Sequence, residues 1–517
     1  MVLHLISLYL ISNSWLLLLF LSFSSLLVFL RFSSHNRSHK WRLPPGPSPL
    51  PIIGNLHELD RIIHVSLHRL SKEYGPLIHL NLGNTSAIVA SSVEVSSEIL
   101  KAQDTVFCSR PPLAAITKFT YDGIDIGASP FGEYWKKMKR FGNVHFFNAL
   151  KVRSFHNIRE EEVDVLINDI KKASFNGELI NVSERAVCLL QNITFREVFS
   201  KRVSVDGDCR LSPYHDLIKD MMSMMASFNA RDFFPSLWWL DFLTGWRVKL
   251  ERRFREMDRI YEKEIETRLK STCATTHNDF LDLLLNRQTK VDPSLGFLLS
   301  RNEVKALLMD MFFGGTDTSS VTIEWGMAEL MRNPEVMKKA QDEVRQLIGN
   351  KEKVEESDIR HLHYLKLVIM ETLRLHPPTT LLAPRECMKD TKVNGYDIPA
   401  KTIALINVWA IGRDSKYWDD PYSFQPERFK NKSINYKGNH FNFIPFGSGR
   451  RICPGITFGM ANIELALANI LYSFDWTLPN GMTKEDIDMR EHFGLVTRKK
   501  MPLVLIATPK FTNMCIW

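Results

Sequence analysis

Three glycines, two arginines, a proline and one cysteine crowd the ten residues FGSGRRICPG, 446–455. Glycine and proline at that density rule out a regular helix or strand, so the stretch is a loop. Directly after it, ITFGMANIELALANILYSF (456–474) carries Met460, Ile463, Leu467, Ile470 and Leu471 as an apolar stripe at helical spacing. The fold must therefore seat one thiol, Cys453, just before the N-terminus of a core helix. Three chemistries compete for such a loop: phosphate binding, nucleophilic catalysis and metal ligation.

Phosphate binding fails on spacing. A dinucleotide fingerprint needs a third glycine where Ile452 stands, and a Walker loop needs Gly-Lys where the chain has Gly455-Ile456. A cysteine nucleophile needs a positioned base. No histidine lies in the loop, and His440 is thirteen residues upstream of Cys453. Ligation fits better. Free backbone N–H groups and the dipole of the following helix stabilise a thiolate. Glycines let backbone approach a flat cofactor, and Arg451 can pair with a carboxylate on it. A lone cysteine thiolate on iron is one way a protein holds haem.

The N-terminus adds a second constraint. From Leu5 to Leu30 the chain has no charge, and about 20 apolar residues span a bilayer. The run is longer than a signal-peptide core, lacks a charged start and shows no small-residue cleavage site. It reads as a retained anchor. Arg31, Arg37, Lys40 and Arg42 follow it and no Lys or Arg precedes it, which places the body in the cytosol. LPPGPSPLP (43–51) then stiffens the chain as a hinge.

The seven cysteines are scattered, odd in number and without CxxC, which argues against a disulfide framework and a structural zinc site. A net charge of +8 suits an anionic membrane or an acidic partner protein. The basic residues are dispersed and no nucleic-acid motif is present, so nucleic acid is excluded. Helical patterns dominate: 155–173, one long pattern over 303–334, and 362–378 ended by Pro377-Pro378. Strand-like runs occur at 77–92 and 402–411. The class is mainly α with a small β portion.

Phe446-x-x-Gly449-x-Arg451-x-Cys453-x-Gly455 resembles the haem-binding signature of the cytochromes P450, with the whole pattern matched. PPGP, PFGEYW, GGTDTS, ETLRLHPP, NVWAIGRD, PERF and IPFGSGRRICPG are similar to stretches of plant microsomal enzymes of the seventy-one clan, over nearly the entire chain. The resemblance implies a cytochrome P450 fold: a transmembrane anchor (1–31), a basic, proline-rich hinge (32–51) and a single large haem-thiolate domain (52–517). It implies haem b with Cys453 as the axial iron ligand, Phe446, Gly449 and Gly455 framing the loop, and Arg451 on a haem carboxylate. Trp135 and Lys139 stand in the family's W-x-x-x-R, which holds a propionate. Lysine there keeps the charge but loses the bidentate fork. Arg385 in APREC resembles another propionate contact.

Glu371 and Arg374 form E-x-x-R on one helix face. With Arg428 of PERF they resemble the family's buried Glu-Arg-Arg network. In GGTDTS, Thr318 resembles the residue that donates a hydrogen bond to dioxygen, and Asp317 the one that relays protons. Both favour a monooxygenase over a haem-thiolate isomerase or dehydratase, or a non-catalytic haem protein.

Substrate choice, by position in the family, falls to Leu308, Met311, Phe312, Leu381, Leu382, Ala383, Phe493, Leu495 and Val496. Their apolar character suits a lipophilic substrate, a terpenoid favoured over an alkaloid, coumarin or other phenylpropanoid. No nicotinamide or flavin fingerprint occurs, so electrons come from outside. The resemblance implies NADPH–cytochrome P450 reductase on the endoplasmic reticulum membrane, with cytochrome b5 as a second candidate donor and O2 as co-substrate.

Overall fold

The computed structural model describes residues 18–19, 21–25, 41–203, 213–227, 229–270, 279–479 and 481–510. Two units result, 1–43 and 44–517. In the first, residues 18–19 and 21–25 are helical. The rest of the anchor reading lies outside the described residues, among which no helix is long and apolar enough to cross a membrane.

The second unit is mainly helical with small sheets. Its principal helices are α1 (Glu133–His145), α2 (His156–Phe175), α3 (Val182–Phe199), α4 (Trp246–Lys270), α5 (Arg301–Gly315), α6 (Asp317–Arg332), α7 (Pro334–Ile348), α8 (His363–Leu375) and α9 (Ile456–Ser473). Strands β1 (Leu77–Leu82), β2 (Thr85–Ala90), β3 (Arg385–Glu386) and β4 (Ile403–Ile406) form one sheet in the order β1-β2-β4-β3. β2 and β4 run parallel and the other pairs antiparallel. The proline stretch is tied to this sheet: Pro45 O accepts from the His79 N–H at 3.0 Å.

Helices α6 and α9 form the centre. Leu465, Leu467 and Leu471 are fully buried on α9, as are Ile323, Met327 and Leu330 on α6. Such burial is worth about 1.5–3 kcal/mol per large aliphatic side chain. Gly326 sits at the crossing, where a Cβ would lie 3.6 Å from Leu467 and 3.6 Å from Thr372 of α8. The apolar stripe read over 456–474 is thus only part of α9's buried surface.

The long helical pattern of 303–334 is two helices. Thr316 (φ −96°, ψ −68°) separates α5 from α6. Gly314 and Gly315 lower the helix propensity there. The Thr316 hydroxyl donates to Phe312 O and the Thr318 hydroxyl to Gly314 O, both at 2.9 Å. Back-bonding of this kind bends helices. The strand pattern over 402–411 also divides: β4 ends at Ile406, because the Asn407 side chain caps the turn Val408–Ile411 by accepting from Ala410 N–H at 3.1 Å.

Glu371 and Arg374, both with fully buried side chains, pair on α8 at 2.7 Å. Arg428 joins the same carboxylate at 2.9 Å, and Gln425 N–H donates to it at 2.8 Å. Arg374 also donates to the Gly412 carbonyl. A Cβ at Gly412 would stand 2.5 Å from Arg374 O. Cys108, Cys387 and Cys453 are free thiols, whereas Cys188 is disulfide-bonded, which departs from the expectation drawn from scattered cysteines.

Glu371→Ala strands two buried guanidinium groups and is expected to destabilise the fold by roughly 3–5 kcal/mol. Gly412→Ala forces a side chain against backbone and is expected to remove about 1–3 kcal/mol. Thermal unfolding of the purified variants measures both; an unchanged midpoint for Glu371→Ala contradicts the reading.

Candidate active site

The cysteine loop closes on itself. Cys453 N–H donates to Phe446 O at 3.0 Å, and Ile452 N–H to Gly449 O at 3.2 Å. Gly449 has φ +72°, and a Cβ there would lie 2.4 Å from Leu100 O, so only glycine fits. The Cys453 thiol borders a cavity of about 400 Å³. Burial pushes this thiol up, and the Gly455 N–H opposes the shift. The backbone donor expected ahead of α9 is present, yet burial outweighs it for the thiol alone. A bound cation would reverse that balance by pairing with the thiolate.

The α5–α6 break forms another wall of the cavity. Gly314 and Thr318 both border it, and a Cβ at Gly314 would meet nothing within 4 Å. Asp317 does not border it. Its side chain turns away and pairs with Arg498, whose own side chain is 26% exposed. Thr318 and Asp317 are adjacent in sequence but face different surroundings.

Five cations gather at one end of the cavity: Arg110, Lys139, Arg385, Arg450 and Arg451. Arg451 donates to the carbonyls of Cys108 (2.8 Å), Ile126 (3.2 Å) and Ser129, and its guanidinium lies 4.0 Å from the centre of the Trp135 ring. Burial lowers its pKa to about 10. Trp135 donates to Ile126 O at 3.0 Å. Lys139, 5.2 Å from the same ring, donates to Arg450 O, and burial with Arg451 nearby lowers its pKa. Arg385 pairs with Asp104 at 3.0 Å and donates to Ser448 O at 2.8 Å. Arg450, which carried no expected role, shares that Asp104 at 2.9 Å with its side chain half exposed.

Arg110 carries no motif signal in the sequence, standing in the loop SRPP. It donates to Ala383 O (2.6 Å), Pro384 O (2.8 Å) and Gly127 O (3.1 Å). Burial and the neighbouring Arg451 and Arg385 depress its pKa strongly. Arg110, Lys139 and Arg451 make no ion pair among the described residues. Crowded, partly buried cations that make no ion pair favour an anion beside them.

Of the expected substrate contacts, Met311, Leu382, Ala383, Leu495 and Val496 line the cavity. Leu308, Phe312, Leu381 and Phe493 do not. Leu308 is fully buried in the core, and Phe312 stacks with Phe199 (5.6 Å) and Tyr261 (6.0 Å). Leu381 packs beside the sheet, and Phe493 lies against His64 at 6.0 Å. Neighbouring positions on a helix or loop point in different directions, and an apolar stretch alone does not say which of them face a cavity. Arg498 and Arg110 were not legible because each acts on a partner far away in sequence.

A free thiol, open glycine backbone and an uncompensated cationic end share one cavity. Together they fit a haem: iron for the thiolate and two carboxylates for the cations. The comparisons agree. The description Cytochrome P450 matches residues 44–506. 5-Epiaristolochene 1,3-dihydroxylase of Nicotiana tabacum is 44% identical over 498 residues, 95% of this chain and 97% of that one. Premnaspirodiene oxygenase of Hyoscyamus muticus is 43% identical over 498 residues, 95% and 97%. Phenylacetaldehyde oxime monooxygenase of Prunus mume is 43% identical over 483 residues, 92% and 91%. The match spans the site and the core that carries it: this chain belongs to the cytochrome P450 family and is a haem-thiolate monooxygenase of the plant seventy-one type.

Proposed function

We propose that the protein inserts one oxygen atom of O2 into a lipophilic plant metabolite, a terpenoid in first place. The observation that carries this reading is the cavity that joins Cys453 and Thr318 to the apolar side chains of Met311, Leu382, Leu495 and Val496. Two relatives named for oxidation of 5-epiaristolochene and premnaspirodiene support a terpenoid, and the relative named for an oxime supports a broader lipophilic class.

Haem held by the Cys453 thiolate would supply dioxygen activation. The chain's residues supply everything around it. Arg110, Arg385 and Arg451 would hold the carboxylates, with Trp135 buttressing Arg451. Lys139 adds charge while its ammonium ties α1 to the cysteine loop through Arg450 O. The Thr318 hydroxyl, resting on Gly314 O, reorients to donate into the cavity. Asp317 stands one residue away in the relay position, and Arg498 orients its carboxylate. The apolar wall excludes water and positions the substrate.

Electrons reach the site from NADPH through cytochrome P450 reductase, with cytochrome b5 as a further donor. The exposed Lys137, Arg140 and Arg450 on the cysteine side offer positive charge for an acidic partner. The N-terminal anchor holds the protein on the endoplasmic reticulum with residues 52–517 in the cytosol. Of the five N-x-S/T sequons, at Asn36, Asn84, Asn181, Asn192 and Asn431, Asn192 is buried and its side chain accepts from Val203 N–H at 3.1 Å, leaving no room for a glycan there.

Microsomes carrying the protein and a reductase are expected to convert a sesquiterpene hydrocarbon, with NADPH, to a product gaining one atom from labelled dioxygen. Conversion of phenylacetaldehyde oxime offered alongside, and of no terpene, would overturn the terpenoid assignment. Thr318→Ala is expected to keep haem but raise NADPH consumed per product several-fold; unchanged coupling contradicts its role. Arg110→Gln is expected to lower the haem-loaded fraction of purified protein several-fold, and full loading would remove Arg110 from the carboxylate site.

A further inference from the structure

Helix α3 presents two unsatisfied polar groups to the same cavity. Thr194 and Glu197 sit one turn apart, 2% and 0% exposed, and both line it. Neither Thr194 Oγ1 nor Glu197 Oε2 has a hydrogen-bond partner among the described residues. Buried polar atoms are almost always satisfied by protein or ordered water. The obvious partner for Glu197 is engaged elsewhere. Arg159 makes two 2.8 Å bonds to Glu356 and reaches Glu197 Oε1 only at 3.4 Å. Burial dominates at Glu197 and pushes the carboxyl up to about 8; Arg159 and Lys151 oppose the shift and Glu356 adds to it. At neutral pH Glu197 thus carries a proton it can release.

Thr194 stands against the helix break. A Cβ at Gly315 would lie 3.1 Å from Thr194 Oγ1 and 3.5 Å from Phe458. Gly315 is flanked by Gly314, and Thr318 is one turn on. Asn462, one turn along α9 from Phe458, is also buried, with both amide atoms unpartnered among the described residues. A buried water needs two to four polar partners, and Thr194 Oγ1 and Glu197 Oε2 offer two on this wall of the cavity.

We propose that Glu197 and Thr194 form a hydrated proton inlet that feeds the Gly314–Thr318 groove separately from the Asp317–Arg498 pair. The inference rests on the monooxygenase reading of Thr318. The O–H bond of Glu197 breaks and its proton passes to a water, which gives up one of its own protons through the Thr194 hydroxyl toward the groove. The carboxylate recovers a proton from solvent by way of water beside Glu356, whose side chain is 22% exposed. No electrons move in these steps. Glu197 acts through Thr194 and water, so it is a positioning and proton-holding residue.

Two measurements on the haem-loaded protein test this. In infrared titration, the carbonyl stretch of one protonated carboxyl should vanish as pH rises through about 8, and that band should be missing from Glu197→Gln. In substrate-free turnover with reductase and NADPH, Glu197→Gln should raise the share of dioxygen released as hydrogen peroxide several-fold. The rise should be larger again in Asp317→Asn/Glu197→Gln than in either single variant, and Glu197→Asp should restore most of the loss. An infrared band unchanged in Glu197→Gln overturns the proposal. So does a peroxide share equal to that of the parent in both the native and Asp317→Asn backgrounds. If no variant oxidises NADPH, the reductase-dependent reading itself fails, and the infrared band alone decides whether Glu197 holds the proton.

Discussion

The packing of α6 on α9 is the constraint on which the rest depends. Both helices are buried on most faces, so neither can rotate or slide without opening the core. Their crossing is set at Gly326, where the absence of a side chain lets Leu467 and Thr372 close in. Helix α6 begins at the break that opens Gly314 and Thr318 to the cavity. Helix α9 begins where the cysteine loop ends, with Gly455, two residues past Cys453, as its N-cap. Locking the two helices therefore locks the thiol opposite the broken helix, and α8 with its Glu371–Arg374–Arg428 cluster braces the same layer.

Charge is arranged around that frame with a clear asymmetry. Acids and bases in the core are matched: Glu371 with two arginines, Glu329 with His376 at 2.7 Å, Arg159 with Glu356. At the end of the cavity they are not. Asp104 serves Arg385 and Arg450, while Arg110, Lys139 and Arg451 are held by carbonyl oxygens that orient them without neutralising them. Such a site stores repulsion that an anionic cofactor relieves, which links cofactor loading to stability. Asp317, by contrast, has its counter-charge in Arg498 and is kept out of the cavity.

Much of this was legible in the chain. The cysteine loop announced itself because glycine, proline and a thiol before a helical stripe have few structural solutions. E-x-x-R announced a shared helix face, and the apolar periodicity of 155–173, 362–378 and 456–474 located α2, α8 and α9. What stayed hidden depends on contacts between distant segments or on fine local geometry. The break at Thr316 needs hydroxyl groups that find the carbonyls of the preceding turn, which composition does not reveal. Leu308 and Phe312 looked like cavity residues because an apolar side chain is equally suited to a core. Arg110 and Glu197 matter through what surrounds them in space, and neither belongs to a spaced motif. The N-terminal anchor reading lies almost entirely outside the described residues.

The central claim is that Cys453 holds the haem iron as a thiolate. The reduced, carbon monoxide-bound absorption spectrum tests it most directly. Active protein should give the thiolate-type Soret band, and Cys453→Ser should lose it. A histidine-type band in active protein, or a thiolate-type band that survives in Cys453→Ser, would contradict the account.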